Sequence, residues 1–316
     1  MGRALNHFEA VAVSVDMEFK HEVAEWMMGL QDRICRGLEE IDGKASFITD
    51  PWQRPGGGGG RSRVIADGNV LEKGGVMFSA VHGPVSERMA KMLQLPGDEF
   101  FATGVSIVLH PRSPMMPIIH MNVRYFELAG QTWWFGGGID LTPHYVVPEQ
   151  ASWFHEQMKD VCDQTDPALY PRLKTWADDY FYIKHRQETR GVGGIFYDRM
   201  GPNEPYGRDA LWAFTQAVGN RFVPIYAYMA EHNRHLPFGE AEQEWQRLRR
   251  GRYTEFNLVY DAGTKFGLET DGRTESILVS LPPLASWAYN HQTEPGSREA
   301  ETLNWLKKDI DWLVAA

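Results

Sequence analysis

Between Thr103 and Asp140 the chain alternates apolar and polar residues, broken at glycine and proline. This period of two constrains the fold more than any other feature. Successive side chains of a strand point to opposite faces of its sheet. Val105, Ile107 and Leu109 therefore share one side of a first predicted strand, and Ser106, Val108 and His110 share the other. In a second strand, Ile119, Met121, Val123 and Tyr125 oppose His120, Asn122, Arg124 and Phe126. Pro111 and Pro114 mark the turn between the two, because proline cannot continue a ladder. Strands joined by so short a link pair antiparallel. One face of such a sheet is apolar. The other carries a base, an amide and a planar cation in a row, spaced about 6.6–6.8 Å apart by the strand rise.

Residues 75–81 and 132–136 read as further strands. Before them, Phe19, Val23, Trp26, Met27, Leu30, Ile34 and Leu38 step by threes and fours, which predicts a helix over 16–40 ending at Asp42-Gly43. Helices are also predicted over 151–164, 168–188, 208–232, 240–250 and 297–314, with late strands over 253–260 and 275–281. Strands grouped together, with helices grouped between them, argue α+β rather than alternating α/β. Gly56 to Gly60, followed by Arg61-Ser62-Arg63, reads as a flexible linker or as a mobile loop offering Arg61 and Arg63 to an anion. No Gly-Lys-Ser/Thr follows, so it is not a nucleotide-phosphate loop.

Charge narrows the function classes. A net charge of −10 argues against nucleic acid as a partner. An anionic ligand then requires arginines gathered locally. Cys35 and Cys162 make neither a disulfide framework nor a zinc cluster, and are expected to be reduced, buried thiols. The first residues lack an apolar signal core, and no apolar run approaches the roughly 18 residues of a membrane span. A cytoplasmic protein is the expectation.

The His120, Asn122 and Arg124 row reads either as a solvent-facing strand side or as a site with convergent polar groups. Trp133-Trp134-Phe135-Gly136-Gly137-Gly138-Ile139-Asp140 sets glycines where a flat ligand can approach the backbone, with an acid at their end. Asp140 alternatively caps the turn at Thr142. His110, His120, His155 and His185 have no metal-ligand spacing. Arg124, Arg273 and the Arg61/Arg63 pair are candidates for carboxylates, because the guanidinium fork binds a carboxylate with two parallel hydrogen bonds.

Several blocks together resemble the oxygen-dependent coproporphyrinogen III oxidase family. They are Gly56 through Arg63, Leu109-His110-Pro111-Arg112, His120-Met121-Asn122-Val123-Arg124-Tyr125-Phe126-Glu127 and Trp133 through Pro143. Further on come Tyr180 through Arg186, Arg190-Gly191-Val192-Gly193-Gly194-Ile195-Phe196, and Arg249 through Leu258, continuing to Arg273-Thr274-Glu275-Ser276-Ile277-Leu278. The blocks run in register from about residue 16 to the C-terminus.

The resemblance implies one domain over residues 1–316, with a large flat antiparallel sheet of about seven strands and helices on both faces. It implies a homodimer in which residues 253–287 matter. It also implies conversion of coproporphyrinogen III to protoporphyrinogen IX, with O2 as co-substrate and CO2 and H2O2 released. By the same resemblance, His120 is a proton donor and Asp140 meets the pyrrole nitrogens. Ser106, Asn122, Val123, Arg124, Asp271, Gly272 and Arg273 contact substrate. His110, His120, His155 and His185 match positions proposed for a divalent metal in some members. Two features depart from the pattern: Asp271 stands where many bacterial members carry glycine, and the link between Glu127 and Gln131 is short. Two rival expectations remain: a metal-dependent oxygenase using His110, His120 and Asp140, and a tetrapyrrole-binding protein without activity.

Overall fold

The computed structural model describes residues 6–93, 98–128, 132–269 and 272–315. A long helix, α1 (Asn6–Asp42), leads into β1 (Ile48–Gln53), β2 (Gly58–Ala66) and β3 (Leu71–Pro84). The short α2 (Glu87–Leu93) precedes β4 (Glu99–Pro111), β5 (Ile118–Leu128) and β6 (Thr132–Thr142). Next come α3 (Pro148–Asp163), α4 (Leu169–Tyr180), a small hairpin of β7 (Tyr182–Ile183) and β8 (Glu188–Thr189), and β9 (Gly194–Met200). The rest is α5 (Arg208–Asn233), α6 (Glu240–Val259), α7 (Ala262–Glu269), α8 (Thr274–Leu278) and α9 (Arg298–Trp305).

One seven-stranded antiparallel sheet, in the order β1-β2-β3-β4-β5-β6-β9, organises the α+β fold. The alternation seen in the sequence sorts its two faces. Val76, Val105, Ile107, Val123, Tyr125, Phe135 and Ile139 lie in the core under α1 and α5. Helix α1 presents Val23, Met27, Leu30, Ile34 and Leu38 as one buried stripe. Burying each large apolar side chain contributes roughly 1.5–3 kcal/mol.

Among the described residues, the other face is covered mainly at its ends and, over β2, by α8, where Ser276 Oγ lies 2.8 Å from Ser62 Oγ. Tyr253 of α6 packs on Val108 and Ile118 at one end, and Phe181 and Phe256 pack near Phe196. At the other end, Met89 of α2 and Phe266 of α7 close over Phe100, Phe126 and Leu128. Between them Met77, Ser106, Asn122 and Arg124 stay partly exposed, although their strands are interior to the sheet. This partly open stretch of the face is the candidate cleft.

Several elements differ from expectation. Residues 253–260 continue α6 to its end at Val259, because Trp245, Arg249, Tyr253 and Phe256 keep one buried stripe at helical spacing. Residues 275–281 fall largely in α8 rather than a strand. The helix predicted over 168–188 stops at Tyr180 and gives way to the β7–β8 hairpin, while the terminal helix ends at Trp305. β1 and β9, the two edge strands, went unpredicted. The glycine run is not a long loop: Gly58 to Gly60 already belong to β2. Helix α1 begins well before residue 16 and ends at buried Asp42, whose carboxylate accepts from the backbone N–H groups of Ala45, Asn69, Val70 and Leu71. Burial opposes that charge, but the four hydrogen bonds outweigh it and hold the carboxyl below its ordinary range. Both cysteines are free and buried, as expected. Among the described residues, no helix is long and apolar enough to cross a membrane.

Candidate active site

Strand register brings His120 directly opposite Asp140, and across one further strand Asp140 opposite Gly194. His120 Nδ1 lies 2.7 Å from Asp140 Oδ1. The other carboxylate oxygen, Oδ2, accepts from Arg190 Nη2 at 2.6 Å. Asp140 is 2% exposed and Arg190 3%, whereas the His120 side chain is 21% exposed toward the cleft. Arg190 also donates to Asn257 Oδ1 at 3.1 Å. Its guanidinium is boxed by the rings of Phe181, Tyr253 and Phe256 at 4.4, 4.5 and 4.6 Å. Cation–π attraction of this kind strengthens when the cation is desolvated. Gly193, at φ 76°, lets the chain after Arg190 turn back along β6, where Leu141 N–H donates to its carbonyl.

Electrostatics follow from this geometry. Burial would push the Asp140 carboxyl up, but the Arg190 charge and the His120 hydrogen bond outweigh it and hold the carboxyl below the ordinary carboxylate range. Burial likewise opposes the Arg190 charge, and Asp140 more than restores it. An ionised carboxylate only accepts, so an imidazole in its neutral form would carry its hydrogen on Nδ1 and keep a lone pair on Nε2. Asp140 is the residue expected to meet the pyrrole nitrogens. Both its oxygens are engaged and it is covered, so His120 is the group of this pair that faces the cleft.

Arg124 extends across the neighbouring strand over Gly136, where a Cβ would stand 2.7 Å from its Nε. The space left by this glycine is taken by an arginine rather than by open floor. Nη1 donates to Asn122 Oδ1 at 2.7 Å and Nη2 to Asp198 Oδ1 at 2.8 Å. Ser106 lies opposite Asn122, and Ser62, Met77, Ser106, Asn122, Gly138 and Phe196 form one cross-strand row. At the β2 end of that row, Arg273 precedes α8 and reaches Ser62 Oγ at 3.4 Å and the carboxylate of Asp50. Arg124 and Arg273 thus bracket the open part of the cleft from two sides.

Other candidates lie elsewhere. The Val123 side chain is fully buried on the opposite face. Gly272 turns back onto α7, its N–H donating to Gly267 O at 2.8 Å. Asp271 lies outside the described residues. Arg61 and Arg63 point to the α1 side, where each pairs with Asp32 at 2.7 Å. They face away from the cleft, because odd positions of β2 project to the apolar face. Beside them a cavity of about 340 Å³ is lined by Asp32 and Glu39 as well as Arg36 and Arg63.

The four histidines do not fit a shared metal. His155 is buried with both ring nitrogens engaged, by Tyr170 Oη at 3.0 Å and Val192 O at 2.8 Å. His185 is held by Tyr260 Oη and Glu255 Oε2 at 2.7 and 2.6 Å. His110 is buried with Nε2 at 2.8 Å from Ser280 O, and His120 is committed to Asp140. The same commitments disfavour a triad of His110, His120 and Asp140. Among the described residues, no group of three or more His, Cys, Asp or Glu side chains is arranged to hold a metal.

Arg190 and Asp198 are the site residues missed from the sequence. Arg190 opens one of the blocks quoted for the resemblance, but its partner lies 50 residues away. Asp198 lies two residues beyond Phe196, the parity of a cleft-facing strand position, and β9 itself went unrecognised.

Comparison with known proteins adds an independent line. The coproporphyrinogen III oxidase family model matches residues 22–312. An oxygen-dependent coproporphyrinogen-III oxidase of Parasynechococcus marenigrum is 47% identical, covering 99% of this chain and 93% of that protein. Proteins of the same description from a Synechococcus species and from Prochlorococcus marinus are each 48% identical, over 91% and 92% of this chain and 86% and 90% of their own lengths.

Proposed function

The chain belongs to the coproporphyrinogen III oxidase family, and from that premise we propose how its cleft carries out the oxidative decarboxylation of coproporphyrinogen III. The enzyme converts the propionates of rings A and B to vinyl groups in heme biosynthesis, with O2 as oxidant, and releases protoporphyrinogen IX, CO2 and H2O2. Each ionised propionate gives up CO2, one proton from its β-carbon and two electrons. The electrons, that proton and a second one from solution convert O2 to H2O2. Arg124 and Arg273 hold carboxylates that are not reacting, and Asn122 and Ser106 line the floor between them. A reacting carboxylate is better left unclamped, because a strong ion pair stabilises the ground state.

The observation that carries the reading is the His120–Asp140–Arg190 chain at the end of the arginine-bearing face. His120 Nε2 accepts a proton from the substrate, pyrrole N–H or β-carbon, and the ring becomes electron-rich enough to reduce O2. Asp140 orients the imidazole and stabilises its charged form, and Arg190 keeps Asp140 ionised. General acid–base catalysis of this kind contributes typically about 10²–10⁴-fold. No step is assigned to a metal, since each of the four candidate histidines is held by its own separate partners. We further propose a cytoplasmic homodimer. Leu258, Val259, Leu268, Leu284 and Trp287, all large and exposed, support a contact surface in that part of the chain.

The test is an oxygen electrode with anaerobically prepared coproporphyrinogen III and analysis of the product ring. Two O2 consumed per protoporphyrinogen formed is the expected outcome. Binding without oxygen uptake would instead make the protein a tetrapyrrole carrier.

A further inference from the structure

Asp198 occupies the one irregular point where β9 meets β6. Phe135 pairs with Met200 and Gly137 with Tyr197, so Asp198 and Arg199 together oppose Gly136. Arg199 takes φ 50°, a conformation few non-glycine residues adopt. Asp198 keeps the cleft-facing parity set by Phe196, and the extra residue changes the parity beyond it, which returns Met200 to the core. Here Tyr197 and Met200 remain buried in the core, while Asp198 meets Arg124 and the Arg199 guanidinium lies 5.8 Å from the Trp134 ring. The ion pair is partly open to solvent, with Arg124 35% and Asp198 38% exposed. A pair this exposed is weak enough to be exchanged. The other carboxylate-binding arginine is arranged alike: Arg273 pairs with Asp50 of the edge strand β1.

We propose that Asp198 determines specificity as an internal carboxylate that competes with a substrate propionate for Arg124. This rests on the oxidase reading above and deepens it. Substrate carries four carboxylates and product two. With Arg124 already half-satisfied inside the protein, no single propionate binds tightly. The four-carboxylate ring is held by several exchanges at once, and a ring that has lost two of them leaves readily. Binding energy is thereby kept from stabilising the ground state.

The experiment measures affinity for coproporphyrin III, the unreactive oxidised ring with the same four carboxylates, by fluorescence titration, alongside steady-state oxygen uptake. Asp198→Asn keeps the shape and a hydrogen-bond acceptor but removes the charge. It should tighten coproporphyrin binding roughly three- to tenfold, lower KM without raising kcat, and show no effect in an Arg124→Ala background. Unchanged or weaker binding in D198N overturns the proposal, as does the same gain persisting in R124A. If the wild type consumes oxygen normally and only the D198N results deviate, the proposal fails while the oxidase reading stands. If the wild type neither binds the porphyrin nor consumes oxygen, both fail.

Discussion

Replacing Arg190 by methionine tests the buried core of the site. Methionine preserves contact with Phe181, Tyr253 and Phe256 but removes the charge facing Asp140 at 2.6 Å. Breaking a buried pair by deleting one partner costs about 3–5 kcal/mol, because the remaining charge is left uncompensated. Neither group is solvent-screened, so this figure needs no discount for exposure. Losing the Asn257 hydrogen bond adds about 1 kcal/mol. Domains are stable by only about 5–15 kcal/mol, so the variant should fold with a much reduced margin. In urea, at an m value near 3 kcal/mol/M, the loss lowers the midpoint by roughly 1–2 M.

The pH dependence of this loss carries a definite sign. In the wild type, Asp140 is held below its ordinary pKa, so its stabilisation is full above the unfolded value of 3.8 and is lost as pH falls through the folded value. In R190M, burial is opposed only by His120, and the carboxyl rises. The deficit of the variant should then shrink on acidification. Asp140→Asn with Arg190→Met removes both charges, and should stand within about 2 kcal/mol of wild type while remaining inactive. A loss under about 1 kcal/mol for R190M, or a double variant as unstable as the two singles summed, would refute the buried-pair account.

Three further outcomes are expected. His120→Gln should lower kcat by about 10²–10⁴-fold with little change in KM; near wild-type turnover in stopped oxygen-uptake assays would remove His120 from the chemistry. Desolvation holds buried His110 well below its ordinary range and pulls buried His144 and His155 down to about 3, so below the unfolded value of 6.5 unfolding takes up protons at all three. Stability should therefore fall as pH drops below about 6.5, approaching a slope of three protons from these histidines, and His155→Gln should remove about one of them from the denaturation profile. Exhaustive chelation should leave activity intact because the candidate histidines are held apart by separate partners; loss of activity restored by a divalent metal would contradict this.

Much of the site was legible before folding because strand alternation is a local property. Placing His120, Asn122 and Arg124 on one face needed only the period of two, and the register of β5 against β6 then set Asp140 opposite His120. Where local pattern was ambiguous, prediction failed. The stretch from Tyr253 to Tyr260 is rich in strand-forming residues, yet it continues α6 because its stripe packs on Val108, Ile118 and Phe181. Arg61 and Arg63 looked available to an anion until the sheet turned them toward Asp32 of α1.

The sequence by itself determined the antiparallel sheet, its apolar and polar faces, and the arginine-bearing row on the polar one. Only the tertiary structure decided that Asp140 is covered and bonded to His120, that Arg190 pairs with it from 50 residues away, and that the four histidines have separate partners. The division has a physical cause. Side-chain direction along a strand follows from bond geometry, whereas burial, ion pairing and the resulting charge state depend on which distant segments fold against that strand.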